Sequence, residues 1–291
     1  MGYPIGLSEP TGAPRQTLEN DEVYSRQSFL GPRAHERMTM VRAAIVGLGG
    51  GGSHIVQQLA HIGWERYRLF DSDVVEKSNL NRLVNGTRQD SLLGTPKVEV
   101  AERTIARLTD TAEILAHRGR WQDRPELLRG CDIVFGCVDS FAERRELEVA
   151  CRRYLIPYID IGMDVHQVGE EAPRMAGQVI LSMPEGPCMF CLGFLNEERL
   201  AREAEEYGTA GPRPQVVWPN GILASSAVGI AVDLVTGWTR RKNQVFYLSY
   251  DGNTGLLTPH VRLRCLPGSP CPHYSPVGVG DPIFRPIGSD I

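Results

Sequence analysis

The chain has 291 residues, 42% of them hydrophobic, which is enough for one large α/β domain or two small ones with a substantial core. Its 31 basic and 35 acidic residues leave a net charge of −4, which argues against a dedicated nucleic-acid or membrane-surface binder. The seven cysteines are an odd number and include a C-x-x-C pair, which favours a reducing compartment and a candidate metal site over an extracellular disulfide framework.

The first stretch, residues 1–22, is rich in glycine, proline and polar residues, and we expect it to be flexible. It has no basic start followed by an apolar run, so we expect no signal peptide and a cytoplasmic location. The longest apolar stretch, residues 221–238, is interrupted by Ser225, Ser226 and Asp233, which predicts a core helix rather than a membrane span.

A strand, a glycine-rich turn and a helix follow in that order. The apolar run 41–46 predicts a strand, and it enters the glycine turn, residues 47–52. Residues 53–62 then show the apolar spacing of a helix. Residues 67–70 predict a second strand, which ends at Asp71.

Strands and helices continue to alternate, which predicts a parallel sheet with helices on both faces. Polar-edged strands at 178–182, 244–249 and 260–264 extend the sheet with antiparallel neighbours. We therefore predict an α/β protein with a Rossmann-like fold. The further predicted strands are 112–116, 132–137 and 158–161, and the further predicted helices are 96–108 and 141–154.

A long connection, residues 192–219, interrupts this alternation and is called the crossover below. Its charged run, residues 196–206, predicts a solvated helix. Long connections inside compact domains are often functional, so a lid or a partner-contacting segment is the alternative interpretation.

The glycine turn has the features of a phosphate-binding loop. Gly47, Gly49 and Gly52 fit G-x-G-x-x-G between a strand and a helix, where backbone amides and a helix N-terminus approach a phosphate. Asp71 stands 19 residues after Gly52, close to the spacing expected of an acid that binds a ribose hydroxyl. The pattern indicates a nucleotide but does not say which one.

The cationic residues favour ATP. Arg82 ends the motif SNLNR, residues 78–82, and Lys97 ends the motif GTPK, residues 94–97, at the start of a predicted helix. A triphosphate carries more negative charge than a dinucleotide and needs Arg or Lys where the pyrophosphate leaves. For either residue alone, ordinary surface charge is the alternative.

Asp139 follows a later strand in the motif CVDS, residues 137–140. Ligands of open α/β sheets bind at the carboxyl ends of the strands, so we expect Asp139 to face the same crevice and to hold Mg²⁺. A helix N-cap for residues 141–154 is the alternative role.

Taken together, these motifs resemble the ThiF/MoeB superfamily, which includes ubiquitin-activating enzymes and the adenylyltransferases of thiamin and molybdopterin synthesis. The likeness covers residues 23–264, which predicts an adenylation domain there and a C-terminal tail over 265–291. The motifs that carry it are YSRQ at 24–27, GLGGGGS at 47–53, DSD at 71–73, SNLNR at 78–82, GTPK at 94–97 and CVD at 137–139.

The resemblance implies a role for each matched residue. Asp71 would hold the ribose, Arg82 and Lys97 the phosphates, and Arg26 would reach the phosphates from the other subunit of a homodimer or of a pseudo-symmetric heterodimer. The implied catalytic residues are Arg26, Arg82, Lys97 and Asp139. The implied nucleotide- and Mg²⁺-binding residues are Gly47, Gly49, Gly50, Gly52, Asp71, Asp73, Asn79, Arg82, Lys97 and Asp139.

The resemblance also implies a zinc site. Cys188 and Cys191 match its first half, and Cys265 and Cys271 are the expected second half, although their spacing is looser than C-x-x-C. Four thiolates can close a tetrahedral Zn²⁺ site, with His273 as an alternative ligand. Free buried thiols are the other interpretation.

The implied activity is ATP-dependent adenylation of the C-terminal carboxylate of a ubiquitin-like protein, a sulfur-carrier protein or a peptide, and the acceptor tail is expected to end in glycine. The crossover contains no cysteine, so a thioester step stays open. The alternatives are activation of a small carboxylate or a modified tRNA base, a non-catalytic scaffold subunit, and a nicotinamide oxidoreductase.

Overall fold

The computed structural model describes residues 20–167, 169–206, 214–241, 246–266, 271–274 and 279. Most of the expected flexible segment, residues 1–22, and most of the tail, residues 265–291, lie outside the described residues. Within them, the chain folds around one eight-stranded sheet.

The sheet has the strand order β3-β2-β1-β4-β5-β6-β7-β8. The neighbours from β3 to β5 are parallel, and those from β5 to β8 are antiparallel. The prediction of a Rossmann-like, mainly parallel sheet extended by antiparallel strands is therefore confirmed. The strands are β1 Arg42–Val46, β2 Arg66–Phe70, β3 Glu113–His117, β4 Ile133–Gly136, β5 Tyr158–His166, β6 Arg174–Ser182, β7 Phe246–Asp251 and β8 Leu256–Pro259.

Helices cover both faces of the sheet, as the alternating pattern predicts. One core layer joins the sheet to α3, α5 and α9, and a second layer on the other face joins it to α6 and α7. Because both faces are covered, β1 and β4 are almost continuously apolar and buried. The helices are α1 Asn20–Val23, α2 Ala34–Met40, α3 Gly50–His61, α4 Arg88–Leu93, α5 Lys97–Ala106, α6 Glu126–Arg129, α7 Phe141–Arg153, α8 Glu197–Glu206 and α9 Val217–Thr236.

Among the described residues, α9 is the one helix with the length and hydropathy of a membrane span. Its residues Leu223, Ala224, Ala227 and Ala231 are fully buried, and the helix packs on α3, β5 and β6. It occupies the core position that the sequence predicts, but begins at Val217, four residues before the expected start.

The end of the sheet differs from the prediction. Residues 260–264 were expected to form a strand, but Val261–Arg264 is a 3₁₀ helix capped by His260, and the last strand is β8. The turn between β7 and β8 is closed by the Asp251 carboxylate, which accepts from the backbone of Asn253. Strand β8 is set by its pairing with β7, because its sequence LLTP has no alternation of its own.

The glycine turn is pressed against the end of β4. Gly47 has φ +86°, and a Cβ placed there would lie 2.5 Å from the carbonyl oxygen of Cys137. A Cβ at Gly52 would lie 1.9 Å from the carbonyl oxygen of Gly47. Both positions therefore require glycine for the turn to close.

This packing predicts opposite effects for two helical glycines. Gly52→Ala should lower the free energy of unfolding by about 1–3 kcal/mol, because its methyl group collides with backbone. Gly229→Ala, on the exposed side of α9 with no heavy atom within 4 Å, should raise it by about 0.5–1 kcal/mol. Urea unfolding measures the free energy of unfolding of both variants. An unchanged free energy of unfolding in Gly52→Ala would contradict the described packing of the glycine turn.

Candidate nucleotide-binding and metal sites

A cleft of about 350 Å³ opens at the carboxyl ends of β1, β2 and β4. Parallel strands deliver their loops to one edge of the sheet, so motifs distant in sequence meet there. The predicted site residues in its wall are Gly47, Gly49, Gly50, Asp71, Asp73, Arg82, Lys97 and Asp139. Three predicted residues, Gly52, Asn79 and Arg26, are outside the wall.

The floor of the cleft is the glycine turn and the first turn of α3. Gly49, Gly50 and Gly51 line it, so the amino end of a 12-residue helix faces the cleft. Free amides and the helix dipole favour an anion at such an end. A Cβ at Gly50 would lie 2.5 Å from the Asn220 side chain, so this glycine also lets the start of α9 approach.

Asp71 joins the glycine turn to the end of β2. Its carboxylate accepts the backbone N–H of Leu48 at 2.6 Å and that of Asp73 at 2.8 Å. Burial raises the pKa of Asp71, and the positive charge of Lys97, whose Nζ lies 3.9 Å from Oδ1, opposes this rise. The acid is thus fixed at the position where a ribose hydroxyl could donate to it.

Lys97 is held over the cleft from the first residue of α5. Its Nζ donates to the Asp73 carboxylate at 2.7 Å, and its backbone N–H donates to the Asp73 carbonyl at 3.0 Å. Only 11% of the side chain is exposed, so the ammonium group lies in a largely enclosed wall rather than in open solvent. The alternative of ordinary surface charge does not describe this lysine.

Arg82 belongs to a chain of hydrogen bonds across the mouth of the cleft. Its guanidinium donates to the Ser78 carbonyl and to the Asn81 side chain. The Asn81 amide donates to the Gln215 carbonyl at 2.8 Å, and the Gln215 amide donates to the Asp139 carboxylate at 3.2 Å. The crossover therefore closes one side of the cleft through Gln215, a role that the sequence pattern did not single out.

Asn79, which the resemblance places on the phosphates, lies outside the cleft wall, and its contact with a nucleotide stays a prediction. Its side chain is buried and accepts the backbone N–H of Glu76 at 3.0 Å, which closes the short 3₁₀ helix Lys77–Asn79. The Arg82 backbone N–H donates to the Asn79 carbonyl at 3.0 Å. Asn79 thus shapes the loop that carries Arg82, because its side-chain oxygen and its carbonyl both accept hydrogen bonds within that loop.

Asp139 faces the cleft, and its neighbour takes the capping role. The Ser140 hydroxyl accepts the Glu143 N–H at 3.0 Å and is the N-cap of α7. The N-cap alternative for Asp139 therefore belongs to Ser140. Glu203 of α8 also binds this helix end, accepting the N–H groups of Phe141 and Ala142 at 2.9 Å each, so the crossover helix is anchored beside the cleft.

Arg144 and Glu143 were missed by the sequence reasoning, although both line the cleft. Arg144 is only 6% exposed, donates twice to the Val138 carbonyl and pairs with the Asp160 carboxylate at 3.3 Å. Burial raises the pKa of the Glu143 carboxyl. Helical spacing could have identified Arg144 as an inward-facing residue, because it lies on the same face of the helix as the apolar residue Leu147.

Cys137 lines the cleft, but burial makes its thiol less reactive. Burial raises the pKa of this thiol well above its ordinary value of 9.0, and the nearby Asp160 carboxylate adds to the rise. A thiol that stays protonated is a poor nucleophile.

Arg26 lies far from the cleft of its own chain. It is exposed on the 3₁₀ helix Ser25–Leu30, and the preceding Tyr24 ring packs at Gly63, just beyond the carboxyl end of α3. The cleft lies at the amino end of α3, and 12 helical residues span roughly 18 Å. Arg26 therefore cannot reach the phosphates of a nucleotide bound in the cleft of its own chain, and its role in a dimer stays a prediction.

Four potential metal ligands converge away from the cleft. The Cys188 and Cys191 sulfurs lie 3.6 Å apart, and the Cys271 sulfur lies 3.5 Å from that of Cys191. His273 Nδ1 lies 3.4 Å from the Cys188 sulfur, and the four ligand atoms fall within 4.8 Å of one another. These four residues are called the Cys3His group.

The ligand set corrects the prediction at one position. Cys265, the expected fourth ligand, is exposed and caps the 3₁₀ helix Val261–Arg264, where its N–H donates to the Arg262 carbonyl. That helix turns the chain so that Cys265 lies outside the group. His273, the alternative ligand, takes its place.

The chemistry of the Cys3His group fits zinc. Three thiolates and one imidazole form a closed tetrahedral structural set, and zinc–sulfur bonds of about 2.3 Å would separate the sulfurs by roughly 3.8 Å. The sulfur–sulfur distances of 3.5 and 3.6 Å are close to that value. The Cys191 N–H also donates to the Cys188 sulfur at 3.4 Å, a contact that stabilises a thiolate.

Fold and cleft together define an α/β nucleotide-binding protein whose site combines a glycine turn with acids and cations from separate loops. Residues 24–271 match the ThiF family. The chain belongs to the ThiF family.

Named relatives agree with this assignment. The chain is 34% identical to the adenylyltransferase and sulfurtransferase MOCS3 of Mus musculus over 65% of its length, and spans 40% of that relative. It is 32% identical to the molybdopterin-synthase adenylyltransferase of Salmonella typhimurium, over 65% of this chain and 74% of that protein. The crystal structure of E. coli MccB with AMPCPP and MccA shares the fold, with a TM-score of 0.68 and 19% identity, covering 84% of this chain and 72% of that one.

The Cys3His group predicts which variants lose metal. His273→Ala removes a ligand, so it should weaken Zn²⁺ binding by more than the roughly 10- to 100-fold that loss of an outer-shell partner costs. Cys265→Ser should keep the wild-type zinc content, because this residue lies outside the group. Elemental analysis and chelator competition measure the zinc content and affinity of both variants. Zinc loss in Cys265→Ser but not in His273→Ala would show that Cys265, and not His273, is the fourth ligand.

Proposed function

We propose that this protein is an ATP-dependent adenylyltransferase that activates the C-terminal carboxylate of a sulfur-carrier or ubiquitin-like protein. The observation that carries the proposal is the convergence of Asp71, Lys97, Arg82 and Asp139 on one cleft above the glycine turn. A nicotinamide-binding site needs the turn and the acid but not two additional cations.

The cleft residues suit attack of a carboxylate on the α-phosphate, which releases pyrophosphate and leaves an acyl-adenylate. Asp71 binds the ribose and fixes the nucleotide, while the amino end of α3 receives the phosphates. Arg82 and Lys97 stabilise the negative charge that grows on the leaving pyrophosphate. The cations therefore act mainly in the transition state.

Asp139 is the residue that would hold Mg²⁺. It offers a carboxylate in the cleft wall, and the neutral amide of Gln215 donates to this carboxylate. Mg²⁺ binds such oxygen ligands through one or two carboxylates and the substrate phosphates. When bound, the ion would neutralise phosphate charge beside Lys97.

Two observations support a protein tail as the acceptor. The mouse relative is named an adenylyltransferase and sulfurtransferase, and the Salmonella relative is named a molybdopterin-synthase adenylyltransferase. The cleft wall extends beyond the nucleotide motifs to Ile161, Gly162 and Met163 of β5, which offers a surface along which an extended tail that ends in glycine can lie. The suppressed Cys137 thiol argues against a thioester at that residue.

Loss of either cation should reduce adenylation. Arg82→Ala and Lys97→Ala should each lower the rate of ATP–pyrophosphate exchange by about 10²- to 10³-fold with a glycine-tailed carrier protein as acceptor. The effect is expected on the rate more than on binding, because the charge develops during the reaction.

Lys77→Ala is the matched control. Lys77 lies in the same loop as Arg82 but is exposed and outside the cleft wall, so this variant should keep wild-type exchange. Equal rates in Arg82→Ala, Lys97→Ala and Lys77→Ala would refute the proposed roles.

We further propose that the active unit is a dimer in which Arg26 acts on the partner's nucleotide. The exposed Arg26 stands beside the exposed aromatic pair Phe29 and Trp238, whose rings meet edge to face at 5.4 Å. Exposed aromatic residues are frequent in protein interfaces.

Mixing two inactive variants tests this arrangement. Homodimers of Arg26→Ala or of Arg82→Ala lack one cation at every site, but each mixed dimer regains one intact site. Random exchange of subunits should therefore recover about a quarter of wild-type activity. No recovery, although subunit exchange is demonstrated, would mean that Arg26 does not act across the dimer.

A further inference from the structure

Helix α7 carries a fully buried carboxylate, Glu148, beside the Cys3His group. Oε1 accepts the Met189 backbone N–H at 2.9 Å and the Ser182 hydroxyl at 2.5 Å. Oε2 accepts the Tyr274 hydroxyl at 2.8 Å, and the Arg152 guanidinium lies 3.6 Å from Oε1. A buried charge is tolerated only with such a complete set of donors and a counter-charge.

Two of these donors flank metal ligands. Met189 follows Cys188 in the first half of the group, and Tyr274 follows His273 in the second half. The two halves are about eighty residues apart in sequence, yet one carboxylate binds a neighbour of a ligand in each. Glu148 therefore accepts hydrogen bonds from both halves of the Cys3His group.

The contact between Tyr274 and Glu148 explains why the second half of the Cys3His group has no C-x-x-C motif. A repeat of the Cys188–Cys191 spacing from Cys271 would put a cysteine at position 274, where the chain has tyrosine. The Tyr274 ring lies over the Arg152 guanidinium at 5.0 Å and its hydroxyl reaches Glu148. The residue before it, His273, then turns to the metal side.

His273 is held in that orientation from the other half. Its ring stacks on Phe190, with ring centroids 5.4 Å apart and planes 23° from parallel. Phe190 lies between Cys188 and Cys191, so each half of the group orients the other. Arg152 adds to this by donating to the carbonyls of Pro184 and Gly186, which lead into Cys188.

We infer that Glu148, acting through Met189 and Tyr274, is the positioning residue for zinc in the Cys3His group. Outer-shell partners fix the direction of metal ligands and strengthen metal binding. Because the carboxylate orders both halves before the ion arrives, less ordering is left to the metal. The proposal is independent of the adenylation activity.

Tyr274→Phe tests the inference in the full-length, zinc-loaded protein. It removes only the hydroxyl and leaves the ring on Arg152, so the protein should still fold. The rate of zinc transfer to a chromogenic chelator should rise about 10-fold. Tyr67→Phe is the matched control, because its buried hydroxyl bonds to the Trp64 carbonyl and should leave the rate unchanged.

A spectroscopic measurement distinguishes a change in the geometry of the metal ligands from a general loss of protein stability. The cobalt(II)-substituted protein should show the ligand-field bands of a tetrahedral site with three sulfurs and one nitrogen. These bands should shift in Tyr274→Phe and in Glu148→Gln, but not in Tyr67→Phe. If Glu148→Gln does not fold, the Tyr274→Phe comparison decides the question.

Three outcomes would overturn the inference. They are wild-type protein that binds no zinc, equal zinc-transfer rates in the two tyrosine variants, and cobalt spectra that do not respond to Tyr274→Phe. Pyrophosphate exchange measured on the same samples tests the proposed function separately, so failure of one proposal is distinguishable from failure of the other.

Discussion

The cleft depends on one buried carboxylate, that of Asp71. It accepts backbone N–H groups from the glycine turn and from its own loop, and it lies 3.9 Å from the Lys97 ammonium group. Burial disfavours its charge and raises its pKa, and these donors and the lysine offset part of that cost. The same contacts hold β1, β2 and α5 in a fixed relation, so the acid both builds the cleft and presents an acceptor to a ribose.

A second constraint runs along α7. The helix begins at the nucleotide cleft, where Arg144 donates to the Val138 carbonyl, and its middle and last turns carry Glu148 and Arg152 beside the Cys3His group. Three of its charged residues are buried, and they are compensated in pairs, Arg144 with Asp160 and Glu148 with Arg152. One helix therefore supports the proposed catalytic site through its first turn and the proposed zinc site through its later turns.

Sequence patterns predicted the site best where they are local. The glycine turn, the acid after β2 and the two cations each lie in a short motif, and the parallel sheet brings these motifs together. Asn79 shows the limit of motif reasoning, because its side-chain oxygen closes its own loop and the residue lies outside the cleft wall. Cys265 shows another limit, because a short 3₁₀ helix turns it away while His273, two residues after Cys271, reaches the metal ligands.

By itself, the sequence determined the alternation of strands and helices, the order of the motifs and the edge of the sheet at which they meet, since these follow from local periodicity and from the geometry of parallel strands. Only the tertiary structure decided the contacts between distant segments: Gln215 with Asp139, Glu203 with the start of α7, and Glu148 with both halves of the Cys3His group. Such contacts depend on how buried charges find partners after the elements pack, and no short stretch of sequence encodes that choice.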